Sequence, residues 1–413
     1  MSQPLDAAAT DPKALGLMQG FPPPPEKRLT LTGGSSLQFP NSRWALSNVR
    51  QTGPSVNVRR GSNPASPLPR ADRDDLDAVT FTTMDGRTMS WAESLGVNYT
   101  DGILVMHRGK IVQERYFGAL KPELTHLAFS VTKSFVGLLA AMMAHEGRLD
   151  PSQKVSAYLP ELSATAYGDA TVRQVMDMII GVRYSEVYVD PNAEVWAYSR
   201  AAGLAPLAAD YTGPRTIFDF LLALEKEGEH GQAFAYKTCN TEVLAWLVQR
   251  VTGKAMAQLL SERVWQKMGM EEDAHIIVDP VGMAACGGGM NLCLRDLARV
   301  GEMMRNRGEF NGQRIIPAAV VDEIAGGARK EDFAKAGYTT MPGWSYRTQW
   351  WVSHDDLGAY TARGIHGQVC WIAPKAELVI ARFASHPVAA NGNSILDKVS
   401  LPAYAAVAKH LMR

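Results

Sequence analysis

The pattern of apolar and polar positions changes character several times along the chain. Residues 1–75 hold few periodic apolar positions and are rich in Pro, Gly, Ser and Arg, with FPPPP at 21–25 and RRGSNPASPLPR at 59–70. This composition predicts an extended arm lying over the surface. From Gly102 two β-rich runs follow, ILVMH and IVQERYF, joined by Arg108-Gly109-Lys110 as a hairpin turn. The next stretch, LAFSVTKSFVGLLAAMMAHEGRLD at 127–150, spaces Phe135, Val136, Leu138, Leu139, Met142 and Met143 at three and four residues. That period is a helix with Ser130 at its start.

Residues 150–285 read mostly as helices. VRQVMDMII (172–180) and RTIFDFLLALEKEG (215–228) have helical periods, and 240–265 holds two helices broken at Thr252-Gly253. Between them, 181–206 carries several aromatics and no clear period, and an internal loop of that length is a candidate lid. After CGGGMN (286–291) comes a helix over 294–306, then strand-like runs at 346–353, 367–374 and 377–385. The last two are joined by Pro374-Lys375-Ala376 as a turn, and a helix closes the chain from 395. Strands at both ends around a helical block predict one sheet built from N- and C-terminal segments, with helices on its faces. The expected division is an arm (1–75), an α/β domain (76–145 with 290–413) and a helical subdomain carrying the lid (146–289).

Composition narrows the function classes. Of 413 residues, 46% are hydrophobic and 20% charged, and 42 Lys plus Arg balance 42 Asp plus Glu. No global field recruits nucleic acid or an anionic membrane. The longest apolar run, 135–144, is about half a membrane span. The opening MSQPLDAAATDPKALG has no basic region followed by an apolar core, so a cytoplasmic protein is expected. Cys239, Cys286, Cys293 and Cys370 lack CxxC spacing and read as reduced thiols, with no metal site or cofactor expected.

Ser130-Val-Thr-Lys133 is the one SxxK match in the chain. A serine and a lysine three apart at a helix start share a face, with unpaired backbone donors beside them. The bland reading is a serine N-cap with a solvated lysine; the chemical one is a nucleophile with a cation next to it. Tyr236, in FAYKTCNTEVLAW, reads either as a half-buried aromatic or as a proton acceptor whose phenolate an adjacent Lys133 would favour. In TARGIHGQVCWIAP (361–374), Gly364 allows close approach and the next amide, at Ile365, could join the Ser130 amide as an oxyanion hole. Gly287, in the GGGMN run, belongs to a loop hinge or to a wall of the site. His366 is expected at a structural or substrate-edge position, ahead of a triad base. No GxSxG, P-loop, GxGxxG, HExxH or zinc-finger spacing occurs.

SVTK at 130, Tyr236 and the glycine strand at 364 occur in the order that resembles the SxxK serine hydrolases of the penicillin-recognising fold. Within them the chain looks like the class C β-lactamase branch, and most like the 6-aminohexanoate-dimer (nylon oligomer) hydrolases. HEGRLDPSQKVSAYLPEL (145–162), EVYVDPNAEV (186–195), NTEVLAWLVQRVTG (240–253), RDLARVGEMM (295–304), QWW (349–351) and GIHGQ (364–368) carry the likeness over roughly residues 100–385. The resemblance implies a β-lactamase/transpeptidase-like α/β (α+β) fold, with an antiparallel sheet flanked by helices. It implies Ser130 as acylated nucleophile, Lys133 in its proton network, Tyr236 as catalytic tyrosine and the Ser130 and Ile365 amides as oxyanion hole. Tyr188 matches a loop tyrosine that closes over substrate. Ser199 stands where the efficient nylon-dimer enzymes place an aspartate for the substrate amine. Ala362-Arg363-Gly364 replaces the KTG of β-lactamases, leaving no lysine there to hold a substrate carboxylate, and Asn240 lies two positions beyond the family's YxN asparagine. The expectation is hydrolysis of short-chain esters and small linear amides without metal or cofactor, with no nucleic-acid or membrane partner and a homodimer implied by the resemblance. A penicillin-binding or D-aminopeptidase-like acyl transferase and a catalytically silent scaffold are the alternatives.

Overall fold

The β-rich runs at the two ends of the chain meet in one sheet. In a computed structural model describing residues 6–30, 35–390 and 395–413, seven antiparallel strands lie in the order Ser345–Arg347, Trp350–Val352, Tyr360–Gly364, Gln368–Ala373, Leu378–Ala384, Thr100–His107, Lys110–Tyr116. Strand alternation sorts side chains to opposite faces. Leu104, Met106, Cys370, Ile372, Val379 and Ala381 join the larger core, which includes the helices Val131–His145 and Leu294–Arg305. Ile103, Val105, Trp371 and Ile380 face the other way, against Trp91, Leu95, Val399, Tyr404 and Val407 of the helices Trp91–Val97 and Ile395–Leu411. With both faces covered, the strands are apolar on both sides, which is why they read as nearly continuous hydrophobic runs.

A second, four-stranded sheet was not foreseen. It runs Ser55–Val58, Ala274–Ile277, Met290–Leu292, His126–Leu127, and its first strand comes from the arm. The arm is therefore not simply extended surface coil. It forms a short helix, Ser42–Ala45, buries Leu46 and Val49, and seats Val58 with no exposure. Three further expectations change. The run 346–353 is a hairpin instead of one strand, because Thr348 and Gln349 both adopt positive φ (51° and 66°). The aperiodic stretch 181–206 contains the helix Glu194–Ala201, which buries Val195, Tyr198 and Ala201. Helices over 172–180 and 215–228 are shorter than their periods imply, spanning Val172–Met176 and Ile217–Leu222. None of the described helices is long and apolar enough to cross a membrane, and all four cysteines are buried free thiols.

The small sheet sets up the site. His126–Leu127 leads into Phe129, whose φ of 44° turns the chain sharply before the helix begins at Val131. Such a backbone is costly for a bulky residue and persists only where neighbours hold it. Thr132 does so, donating from Oγ1 to the Phe129 carbonyl at 2.6 Å and accepting from the Met290 amide at 3.1 Å. Ser130 stands at that corner.

Candidate active site

Ser130 heads the helix, yet its side chain makes no capping bond to the first turn. The N-cap reading is thus excluded by geometry. Its Oγ instead accepts from Lys133 Nζ at 2.9 Å, one turn along. Lys133 is 1% exposed; it also donates to the Gly287 carbonyl at 2.5 Å and lies 5.2 Å from the Tyr236 ring centroid. Burial lowers the lysine to about 8, while the charges of Glu186 and Glu242 and the Cys239 thiol pull it back up. A lysine in this state reaches its neutral form far more readily than a free one and can then accept a proton.

Tyr236 packs on Trp351 (ring centroids 5.3 Å) and edge-on to Tyr346. Burial, and next the Glu186 charge, push its phenol well above the usual 10, against a hydrogen bond with Ser130 and the Arg363 charge. The expectation that Lys133 stabilises a phenolate therefore reverses: desolvation wins and the resting tyrosine is neutral. The physical reason is placement, since the ammonium faces the ring and the phenol has little water around it.

Gly364 ends the strand that reaches Ser130. A Cβ there would lie 2.5 Å from the Ala128 carbonyl oxygen and 3.1 Å from the Ser130 nitrogen, so only glycine permits this approach. Among the described residues, neither the Ser130 nor the Ile365 amide donates to a protein acceptor. Two unspent N–H groups beside a serine Oγ are what an oxyanion hole requires.

These groups open on a cavity of about 430 Å³, lined by Ser130, Lys133, Tyr188, Ser199, Gly287, Ile365 and His366 among the expected residues. Tyr236 and Gly364 are not on its wall. Tyr188 donates to Glu186 Oε1 at 2.9 Å and meets Trp196 edge-on, in the segment expected to form a lid. Ser199 Oγ donates to the Val195 carbonyl at 2.7 Å, which leaves no charge at this position. His366 holds the His386 carbonyl through Nδ1 at 2.6 Å and rests against Phe129; burial lowers its proton affinity. Ala362 is buried in the core, and Arg363 is spent on Asp397 and on the Trp351 face at 5.4 Å.

The structure adds residues that the sequence did not single out. Leu37, Phe129, Val195, Trp196, Leu204 and Val388 give the cavity apolar walls, and Lys133 is its one charged lining residue among those described. Glu186 accepts from the Thr238 amide and hydroxyl at 2.8 and 2.7 Å. Glu242, 3% exposed, accepts from Tyr198 Oη and the Gly287 amide, both at 2.6 Å, and from the Cys286 amide at 3.2 Å. A signal for Glu242 existed: it occupies a core-facing position of the helix Cys239–Thr252, next to buried Val243.

Comparison with known proteins identifies the family and the fold. The β-lactamase family profile matches residues 97–398. The chain is 36% identical over 351 residues to the 6-aminohexanoate-dimer hydrolase of Paenarthrobacter ureafaciens, covering 85% of this chain and 87% of that one. A candidate 6-aminohexanoate-dimer hydrolase from Bacillus anthracis superposes with a TM-score of 0.84 at 30% identity, over 92% of this chain and 97% of the other. A family VIII carboxylesterase shares the fold alone, with a TM-score of 0.56 and 18% identity over 76% and 96% of the two chains. The architecture is the β-lactamase/transpeptidase-like fold, and the chain belongs to the β-lactamase family, within its 6-aminohexanoate-dimer hydrolase-like branch.

Proposed function

We propose that the chain is a serine hydrolase that cleaves uncharged short-chain carboxylic esters through an acyl-enzyme, and small linear amides less well. The observation that carries this reading is the buried Lys133, 2.9 Å from Ser130 Oγ and lowered to about 8, opening on a cavity with apolar walls. Neutral Lys133 takes the Oγ proton as Oγ attacks the substrate carbonyl carbon. The amides of Ser130 and Ile365 receive the developing oxyanion. The Lys133 ammonium then gives the proton up toward the leaving oxygen or nitrogen through the neutral Tyr236 phenol, which is hydrogen-bonded to Ser130. The phenol donates its own proton and takes the lysine's in exchange, so that lysine and tyrosine both end neutral. Water then attacks the acyl carbon by the same route in reverse, and Ser130 regains its proton.

The P. ureafaciens relative is named for a linear amide substrate, which supports amide cleavage by the same groups. Ser199, tied to its own helix, offers nothing to a substrate ammonium. Arg363, paired with Asp397, is not available to a substrate carboxylate, so the penicillin-binding and D-aminopeptidase-like alternatives lack their anchoring cation. The decisive experiment is Ser130→Ala with p-nitrophenyl acetate and butyrate. Turnover should fall by roughly 10³-fold or more while the circular dichroism spectrum is retained, and a fluorophosphonate probe should label the parent chain at Ser130. Full activity in the variant sinks the assignment.

A further inference from the structure

Glu242 is a buried carboxylate that the acylation steps above do not use, and its contacts are unusual. One oxygen takes both the Tyr198 hydroxyl and the Gly287 amide at 2.6 Å; the other takes the Cys286 amide at 3.2 Å. The carbonyl of that same Gly287 receives Lys133 Nζ. Glu242 therefore reaches the lysine through a single residue, Gly287, whose N–H it accepts and whose carbonyl receives the lysine. Tyr198 sits on the helix Glu194–Ala201 in the lid segment, so the carboxylate also ties that helix to the lysine. A buried carboxylate holding three donors is expensive to keep unless it holds something in place.

We propose that Glu242 is the positioning residue of the proton-transfer lysine: it fixes the Cys286-Gly287 backbone so that the Gly287 carbonyl aims Lys133 at Ser130, and its negative charge sets how readily the lysine releases its proton. The inference rests on Lys133 being the group that accepts the Ser130 proton. Burial raises Glu242 to about 7, with the Tyr198 hydroxyl, the Gly287 amide and the Lys133 charge pulling it down. Around the lysine, the groups facing it are Glu186 from the lid segment, Tyr236 from the segment before the 239–252 helix, and Cys239 and Glu242 from that helix. Two of these are carboxylates that raise the lysine's proton affinity, and Glu242 is the one linked to it through Gly287. Carboxylate and lysine titrate as a coupled pair, so an effect on one is read on the other.

The experiment is the pH dependence of kcat/KM for p-nitrophenyl butyrate in Glu242→Gln, alongside the parent. Glutamine keeps an oxygen for Tyr198 and Gly287 but removes the charge. Losing a nearby anion disfavours the ammonium, so the acid limb should move to lower pH by about one unit, with a several-fold loss in the plateau from looser placement. An equal loss at every pH with an unmoved limb would overturn the proposal, and so would a parent-like profile. Should Glu242→Gln fail to fold, Tyr198→Phe carries the test. Removing that donor makes Glu242 easier to protonate, so the limb should again move to lower pH, by less; an unmoved limb rejects the proposal. Failure of the underlying reading looks different: esterase activity would then survive Ser130→Ala, or the acid limb would be absent from the parent chain.

Discussion

At the scale of single residues, the site is governed by desolvation. Lys133 and Tyr236 are both buried, and burial moves a lysine and a phenol in opposite directions: each is driven toward its neutral form. In the proposed mechanism this favours the lysine as base and the tyrosine as donor. For the parent chain, kcat/KM should rise about tenfold per pH unit up to a midpoint near 8, as the lysine loses its proton, and then level off. If a Tyr236 phenolate were the base, the rise would continue beyond pH 10. A stopped-assay profile with p-nitrophenyl butyrate separates the two. Specificity is equally local. Ser199→Asp would place a carboxylate on the cavity wall where the present hydroxyl only bonds to the Val195 carbonyl. Hydrolysis of 6-aminohexanoate dimer, whose ammonium it can pair, should increase about tenfold or more relative to p-nitrophenyl butyrate; equal changes on both substrates count against a charge role. Ser130 and Lys133 were legible because a three-residue spacing at a helix start fixes their proximity without any tertiary knowledge. The protonation of Tyr236 was not, because burial is a property of neighbours far away in sequence, such as Trp351 and Tyr346.

At the scale of elements, legibility followed the length of the periodic signal. The helix Val131–His145 and the strands around 103–116 and 368–384 repeat over many residues and were readable. The helix Glu194–Ala201 has only Val195, Tyr198 and Ala201 to mark it, too short a run to register. The hairpin at 345–352 was missed for another reason. Its turn lacks Gly or Asn, and tertiary bonds impose positive φ instead: the Thr348 amide donates to Asp177 at 2.9 Å, the Gln349 amide to the Met176 carbonyl at 3.1 Å, and Ser134 Oγ to the Gln349 carbonyl at 2.7 Å. That turn packs directly on the helix that Ser130 heads. A Cβ at Gly137 would fall 2.2 Å from the Thr348 carbonyl oxygen and 2.8 Å from Gln349 Cβ. Gly137→Ala must therefore push helix and turn apart, at a cost of about 1–3 kcal/mol by overpacking. Urea denaturation should register the loss, and kcat should fall with it, since Ser130 rides on the displaced helix. Lowered stability with unchanged kcat would mean that the helix start is held independently, by the Phe129 corner alone.

At the scale of the whole molecule, the pieces of the site come from segments far apart in sequence, and one small apolar cluster gathers them. Leu46 and Val49 of the arm, Leu127 and Phe129 of the corner before Ser130, Ile277 of the small sheet and Ile365 after the glycine strand are packed together, with Leu37, Tyr188 and Leu204 against them. The arm thus has two separable roles. Val58, with no exposure, anchors it through the strand pairing Ser55–Val58 with Ala274–Ile277; Leu37 reaches over that cluster to form part of the cavity wall. Truncating the first site should affect folding and truncating the second should affect binding. Val58→Ala removes buried methyl groups and should lower stability by about 2 kcal/mol, leaving KM for p-nitrophenyl butyrate within twofold. Leu37→Ala should leave the melting temperature unchanged but raise KM for butyrate several-fold, with kcat little altered, because the lost wall contacts substrate and transition state alike. A fall in kcat for Leu37→Ala, at unchanged KM, would instead mean that the arm holds the Phe129–Ile365 contact in register and so acts on the oxyanion hole. Either outcome distinguishes an arm that shapes the pocket from one that only covers it.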